Sequence, residues 1–252
     1  MSFYREAVRR NLHTIAITAD AFNNLSDAAS SVITMLGFRL AGQKPDSDHP
    51  FGHGRLEYIS GLLVSVIILL MGFELLKSSV LKICYPEELL FSPVLLVILL
   101  LSILVKCYMF LYNRRLGKRI NSAAMDATAI DSLSDVLATS VVLISTLLSH
   151  YLNLTVDGWA GLVVGIFICS AGFSTAKDTI SLLLGQAPDK GFVEEIEKTV
   201  TAHKGILGVH DLIVHNYGPG RILISLHAEV PAEGDILVMH DLIDQIEHEL
   251  NQ

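Results

Sequence analysis

The sequence predicts a membrane-embedded α-helical bundle followed by a small α+β domain, and three observations carry that prediction. Of 252 residues, 51% are hydrophobic and 17% charged, with a mean hydropathy of +0.50. That is too apolar for a soluble domain of this size. The apolar residues are clustered into runs such as 58–73 (YISGLLVSVIILLMGF) and 89–105 (LLFSPVLLVILLLSILV), with similar runs at 136–148 and 159–173. With their flanks these reach the ~20 residues a span needs. After Pro188 the chain turns polar and its apolar residues become periodic.

The elements follow in order. Residues 1–13 (MSFYREAVRRNLH) form a polar, basic N-terminal segment rather than the compact apolar core of a secretory leader. Five spans are expected at about 14–41, 56–83, 92–112, 122–151 and 157–184. The first and fourth are the least hydrophobic: one carries Asp20, Asn23, Asn24 and Asp27, the other Asp126, Asp131 and Asp135. Polar groups at membrane depth are costly and mark function. The segment 42–55 holds Lys44 and Arg55, with Arg39 just before it. The segment 113–121, read as a loop, holds Arg114, Arg115, Lys118 and Arg119. The opposite connections, 85–88 and 150–157, have neither Lys nor Arg, although Lys77 and Lys82 lie near the first. The positive-inside rule therefore places the basic segments and the C-terminus in the cytoplasm.

In the last part, 189–203 reads as an amphipathic helix. Residues 207–217 and 221–230 read as strands around a Gly218–Pro219–Gly220 turn, and 235–250 as a second polar helix. Helix–strand–strand–helix is the order of a ferredoxin-like unit short of its last strand. The domains are thus 1–13, 14–185 (transmembrane) and 186–252 (cytoplasmic).

Some functions are disfavoured at once. The net charge of −8 comes with no basic stripe for nucleic acid. Cys84, Cys107 and Cys169 lie too far apart for a disulfide framework or a zinc cluster. No HExxH motif occurs, which argues against a metallohydrolase.

The chemistry is concentrated in two pairs. Asn23 and Asp27 are four residues apart, as are Asp131 and Asp135, so each pair shares a helix face. Asp27 lies fifteen positions before Gly42, and Asp135 sixteen after Arg119. At 1.5 Å per residue both stand about 22–24 Å from the cytoplasmic boundary. Two such helices side by side would gather three carboxylates and one amide oxygen around a divalent cation. Hard oxygen ligands suit Mn²⁺, Mg²⁺ or Fe²⁺ better than Zn²⁺ or Cu⁺. Helix-packing hydrogen bonds are the plainer alternative.

A second cluster lies in the loop Asp46–Ser–Asp–His–Pro–Phe–Gly–His–Gly54, where Asp46, His49 and His53 could converge on one ion. A polar loop that caps the next helix or meets lipid headgroups is the alternative. The last domain carries His203, His210, His215, His227, His240 and His248, rich enough for a regulatory metal site. Gly161–x–x–x–Gly165 permits close helix approach.

Together these residues resemble the cation diffusion facilitator family of divalent-metal/proton antiporters. The resemblance runs from Ile15 onward. It is carried by Ala19–Asp–Ala–Phe–Asn–Asn–Leu–Ser–Asp27, by Asp48–His–Pro–Phe–Gly–His–Gly54 with Arg55 and Glu57 following, and by Asp131–Ser–Leu–Ser–Asp135. It implies a transport site at Asn23, Asp27, Asp131 and Asp135, a loop site at Asp46, His49 and His53, and a cytoplasmic-domain site at His210, His227 and His240. The transport set lacks histidine and is similar to that of the bacterial manganese branch. The resemblance further implies an integral membrane protein of the bacterial plasma membrane, working as a homodimer in contact with lipid, with 186–252 as its metal-binding and dimerisation domain. Its cargo would be Mn²⁺, exported from the cytoplasm in exchange for protons. Zn²⁺, Fe²⁺, Cd²⁺ or Co²⁺ is the alternative cargo, and a shortened, non-transporting metal-binding paralogue is the alternative class. Five spans are read where the family normally has six.

Overall fold

The computed structural model describes residues 28–85, 93–152 and 156–251, in two compact units divided at Leu183/Leu184. The first unit is helical: α1 (Ala28–Ala41 of the described chain), α2 (Arg55–Cys84), α3 (Pro93–Ile120), α4 (Ala123–Leu152) and α5 (Asp157–Leu184). The last four run 28 or 30 residues, long and apolar enough to cross a membrane. Residues 14–27 of the expected first span lie outside the described residues.

Large apolar side chains face outward. Leu101, Leu104 and Val105 of α3, and Val163 and Ile166 of α5, are more than half exposed, as lipid-facing positions should be. The interior is small and partly polar. Val64, Ile68, Ala127 and Ile168 join α2, α4 and α5, with Ile33 of α1 packed against them. Several buried hydroxyls bond back to their own helices: Ser65 Oγ donates to the Gly61 carbonyl at 2.8 Å, and Ser132 Oγ to the Thr128 carbonyl at 3.0 Å.

Glycines set the α2–α5 seam. A Cβ at Gly158 would lie 2.9 Å from the Ile83 amide nitrogen, and one at Gly72 would lie 2.6 Å from Cys169 Sγ. Gly161 and Gly165 face Ser79 and Leu76 across the same seam. Lys82 Nζ meets Asp157 Oδ2 at 2.6 Å where α2 ends and α5 begins.

One sequence expectation is corrected here. The basic segment 113–121 is not a loop, because α3 continues through it to Ile120. Arg114, Arg115, Leu116, Lys118 and Arg119 are good helix formers, and cations suit the negative end of the helix dipole. Asn121, at φ 49°, takes the left-handed turn that ends the helix. The positive charge still sits at the same end of the bundle, so the side assignment stands.

The second unit contains α6 (Lys190–Thr201), β1 (Gly208–Asn216), β2 (Ile222–Glu229) and α7 (Ile236–Leu250). Asp189 and Asp235 cap the two helices by accepting from the Gly191 and Leu237 amides at 2.8 and 2.9 Å. The strands pair antiparallel, and Ile196, Val200 and Ile246 form the core beneath them with Val214, Ile224 and Leu226. The Gly218 and Gly220 backbones, at φ 127° and 69°, make the connecting turn. The register slips between His210 and Ile213, where Asp211 adopts φ 53°. That bulge has no signature in the sequence.

Candidate metal transport site

Asp131 and Asp135 lie one turn apart on α4, each 5% exposed. Their neighbourhood is built by short side chains. Ala124, Ala127 and Ala129 let α4 pack closely, and Thr128 Oγ1 lies 2.9 Å from Thr34 Oγ1 of α1. Asp135 Oδ2 accepts from Lys106 Nζ of α3 at 2.6 Å. Lys106, which the sequence reading does not place at the site, is thus in contact with it. It is the one charged residue between Pro93 and Asn113, and that isolation in an apolar run was the available signal. Asn23 and Asp27, the other expected pair, lie outside the described residues.

The α2–α4 junction is held by Glu57, which is 1% exposed. Its Oε1 accepts from the Ala124 amide at 2.9 Å and from the Ser122 hydroxyl. A carboxylate there satisfies free amides at the start of α4 and lies at the positive end of its dipole.

The structure brings the three expected loop residues together. Asp46 Oδ1 accepts from the Asp48 and His49 amides at 3.0 and 2.6 Å. His49 Nδ1 stands 3.4 Å from Asp46 Oδ1, and His53 Nε2 stands 3.5 Å from Asp46 Oδ2. One donor atom from each of the three lies within 4.8 Å of the others. The His49 amide holds the Asp46 carboxyl below its usual value, aided by the histidines and the Asp48 amide and opposed by some desolvation. A turn through Gly52 at φ 82° brings His53 back toward Asp46. Two imidazoles and a carboxylate suit a borderline divalent ion.

In the soluble unit His210 and His227 are cross-strand partners, with rings edge-to-face at 5.1 Å. Asp211 joins them: its Oδ2 lies 3.1 Å from His210 Nδ1 and 3.6 Å from His227 Nδ1. The donor group within 4.8 Å is therefore His210, Asp211 and His227. His240, the third residue expected, lies in the first turns of α7 beside Asp241 at 3.6 Å and is not a member of that group. The bulge that turns Asp211 between the two histidines is what sequence spacing could not show.

A bundle of apolar helices with buried carboxylates at depth, joined to a polar α+β unit with clustered histidines, defines a membrane protein that handles cations. Comparison with known proteins narrows this. The sequence model of the cation efflux transmembrane domain matches residues 12–184, and that of the cation efflux protein cytoplasmic domain matches residues 188–252. An uncharacterized transporter of Methanocaldococcus jannaschii is 34% identical, over 91% of this chain and 81% of that protein. The manganese efflux system protein MneS of Bacillus subtilis is 26% identical, over 95% of this chain and 82% of its own length. The cation-efflux pump FieF of Klebsiella pneumoniae is 28% identical, over 93% and 78%. The chain belongs to the cation diffusion facilitator family of cation efflux proteins, which are transporters rather than enzymes. It is an integral membrane protein with a cytoplasmic C-terminal domain.

Proposed function

We propose that this chain exports Mn²⁺ from the cytoplasm in exchange for protons, with Asn23, Asp27, Asp131 and Asp135 as the ligands of the transported ion. The observation that carries the reading is the pair of 5%-exposed carboxylates one turn apart on α4. Carboxylates at such depth are stable only with a compensating charge, and an oxygen-only ligand set favours a hard divalent ion. The similarity to MneS supports manganese, while the similarity to FieF keeps other divalent cations in the comparison. When the ion leaves, neighbouring carboxylates repel, and proton uptake relieves the repulsion. Exposing this mid-membrane site to alternate sides would couple the two flows.

The chain acts as a homodimer in this reading. The matched cytoplasmic domain supports this, and so do the exposed apolar residues Ile213, Leu223, Ile236 and Leu237 of the soluble unit. Asp46, His49 and His53, and separately His210, Asp211 and His227, would hold structural or regulatory divalent ions.

Flux into proteoliposomes under an imposed pH gradient tests the proposal. Asp131→Ala and Asp135→Ala should each abolish Mn²⁺ transport, and parental flux in either variant would defeat the assignment. Running Zn²⁺, Fe²⁺, Co²⁺ and Cd²⁺ in parallel decides the cargo. Dissipating the gradient without slowing transport would refute proton exchange.

A further inference from the structure

We infer that Lys106 is a fixed counter-charge of the transport site, which stays on Asp135 while the cation is held and makes the loaded site electrically neutral. The inference rests on the transport-site reading above. Its own evidence is geometric. Lys106 Nζ lies 2.6 Å from Asp135 Oδ2, and the two side chains are 19% and 6% exposed. Lys106 stands fourteen residues before the end of α3, and Asp135 twelve after the start of α4. At 1.5 Å per residue that is about 21 and 18 Å from the same helical corner, so the two charges meet at one depth. Lysines in spans usually snorkel to an interface, and this one turns inward instead.

The charge count explains why. In the proposed ligand set Asn23 is neutral, and Asp27, Asp131 and Asp135 supply three negative charges. Lys106 reduces that to minus two, which a divalent ion cancels. A carboxylate has two oxygens, so pairing with an ammonium through one is compatible with binding a cation through the other. A neutral loaded site is the cheapest one to carry through a rearrangement in a low-dielectric medium. Without Lys106 the ion would be held more tightly, and the loaded bundle would carry an uncancelled negative charge. Affinity and turnover should then separate.

The test uses the full chain with His49→Ala and His227→Ala, which disable the other two donor clusters. Mn²⁺ binding is measured by calorimetry in detergent, and flux in proteoliposomes. Lys106→Met should lower Kd by roughly three- to ten-fold, the order expected for removing one partly screened charge. It should also lower maximal flux by about ten-fold. Lys106→Arg restores the charge and should recover most of both. A parental or weaker affinity in Lys106→Met overturns the inference, weaker binding showing a strut that merely orients Asp135. Should Lys106→Met fail to fold, Lys106→Arg decides. Its planar fork keeps the charge and changes the geometry, so a Kd raised by about ten-fold or more sinks the counter-charge. Asp135→Ala in the same assays keeps the two readings apart. If it binds and transports like the parent, the transport-site reading falls. If it is inactive while Lys106→Met is parental, only the inference about Lys106 falls.

Discussion

Glu57 near the start of α2 reaches across to Ala124 at the start of α4, its Oε1 2.9 Å from the Ala124 amide nitrogen. The same oxygen takes the Ser122 hydroxyl, so one carboxylate closes the first turn of the helix that carries Asp131 and Asp135. Glu57→Ala strands two buried donors and should cost about 1–3 kcal/mol. Glu57→Gln keeps an acceptor and loses the favourable charge at the helix dipole, a smaller loss of about 0.3–1 kcal/mol. Thermal unfolding of the detergent-purified protein reads both, and equal stability of Glu57→Ala and the parent would refute the clasp.

The α2–α5 seam yields a ranking. A Cβ at Gly158 meets backbone, with the Ile83 nitrogen at 2.9 Å and the Ser79 carbonyl at 3.0 Å, and backbone cannot rotate aside. At Gly161 the nearest atom is the Ser79 hydroxyl, a rotor that can move. Gly158→Ala should therefore destabilise by about 1–3 kcal/mol and weaken the neighbouring Lys82–Asp157 pair, while Gly161→Ala costs less. A reversed order in thermal unfolding would contradict the packing.

The loop supplies a pH prediction. The Asp46 carboxyl is depressed in the fold, chiefly by the His49 amide. Its contribution to loop order is thus present above the unfolded value and is lost as pH falls through the lower folded value. The Asp46 carboxyl resonance should have its midpoint below the usual 3.8. Asp46→Ala should abolish that transition and speed exchange of the Asp48 and His49 amides. An unshifted midpoint would rule out the turn.

In the cytoplasmic domain, His210, Asp211 and His227 should bind one divalent ion. Zn²⁺ or Mn²⁺ at about 100 times its Kd should stabilise this unit by about 2.7 kcal/mol. His227→Ala should remove that increment, and metal analysis should show one ion fewer per chain. Asp211→Ala tests the bulge, since it deletes the bridging carboxylate and leaves both histidines in place. Unaltered stoichiometry in Asp211→Ala would limit the site to the imidazoles.

Much of this was legible in the residues themselves. The runs that became α2, α4 and α5 are long and apolar, and burial in lipid demands little more than that. Helix–strand–strand–helix was readable after Pro188 because the period changes and Gly218 and Gly220 mark the turn. The α4 carboxylates and the Asp46, His49 and His53 trio could be named because i,i+4 spacing and a short Gly-rich loop fix proximity locally. The segment 113–121 differs from its sequence expectation because arginine and lysine extend a helix readily, and α3 runs on to Ile120.

The sequence by itself determined the membrane character, the polarity of the bundle, the acidic pair on α4 and the histidine-bearing loop, since each depends on neighbours along one chain. Tertiary structure decided which charge answers which. It set Lys106 against Asp135 and Glu57 against the start of α4, and a bulge turned Asp211, rather than His240, toward His210 and His227. The reason is physical. Ion pairing and hydrogen bonding in a low-dielectric interior reward proximity in space, and α3–α4 packing and strand register create that proximity between residues far apart in the chain.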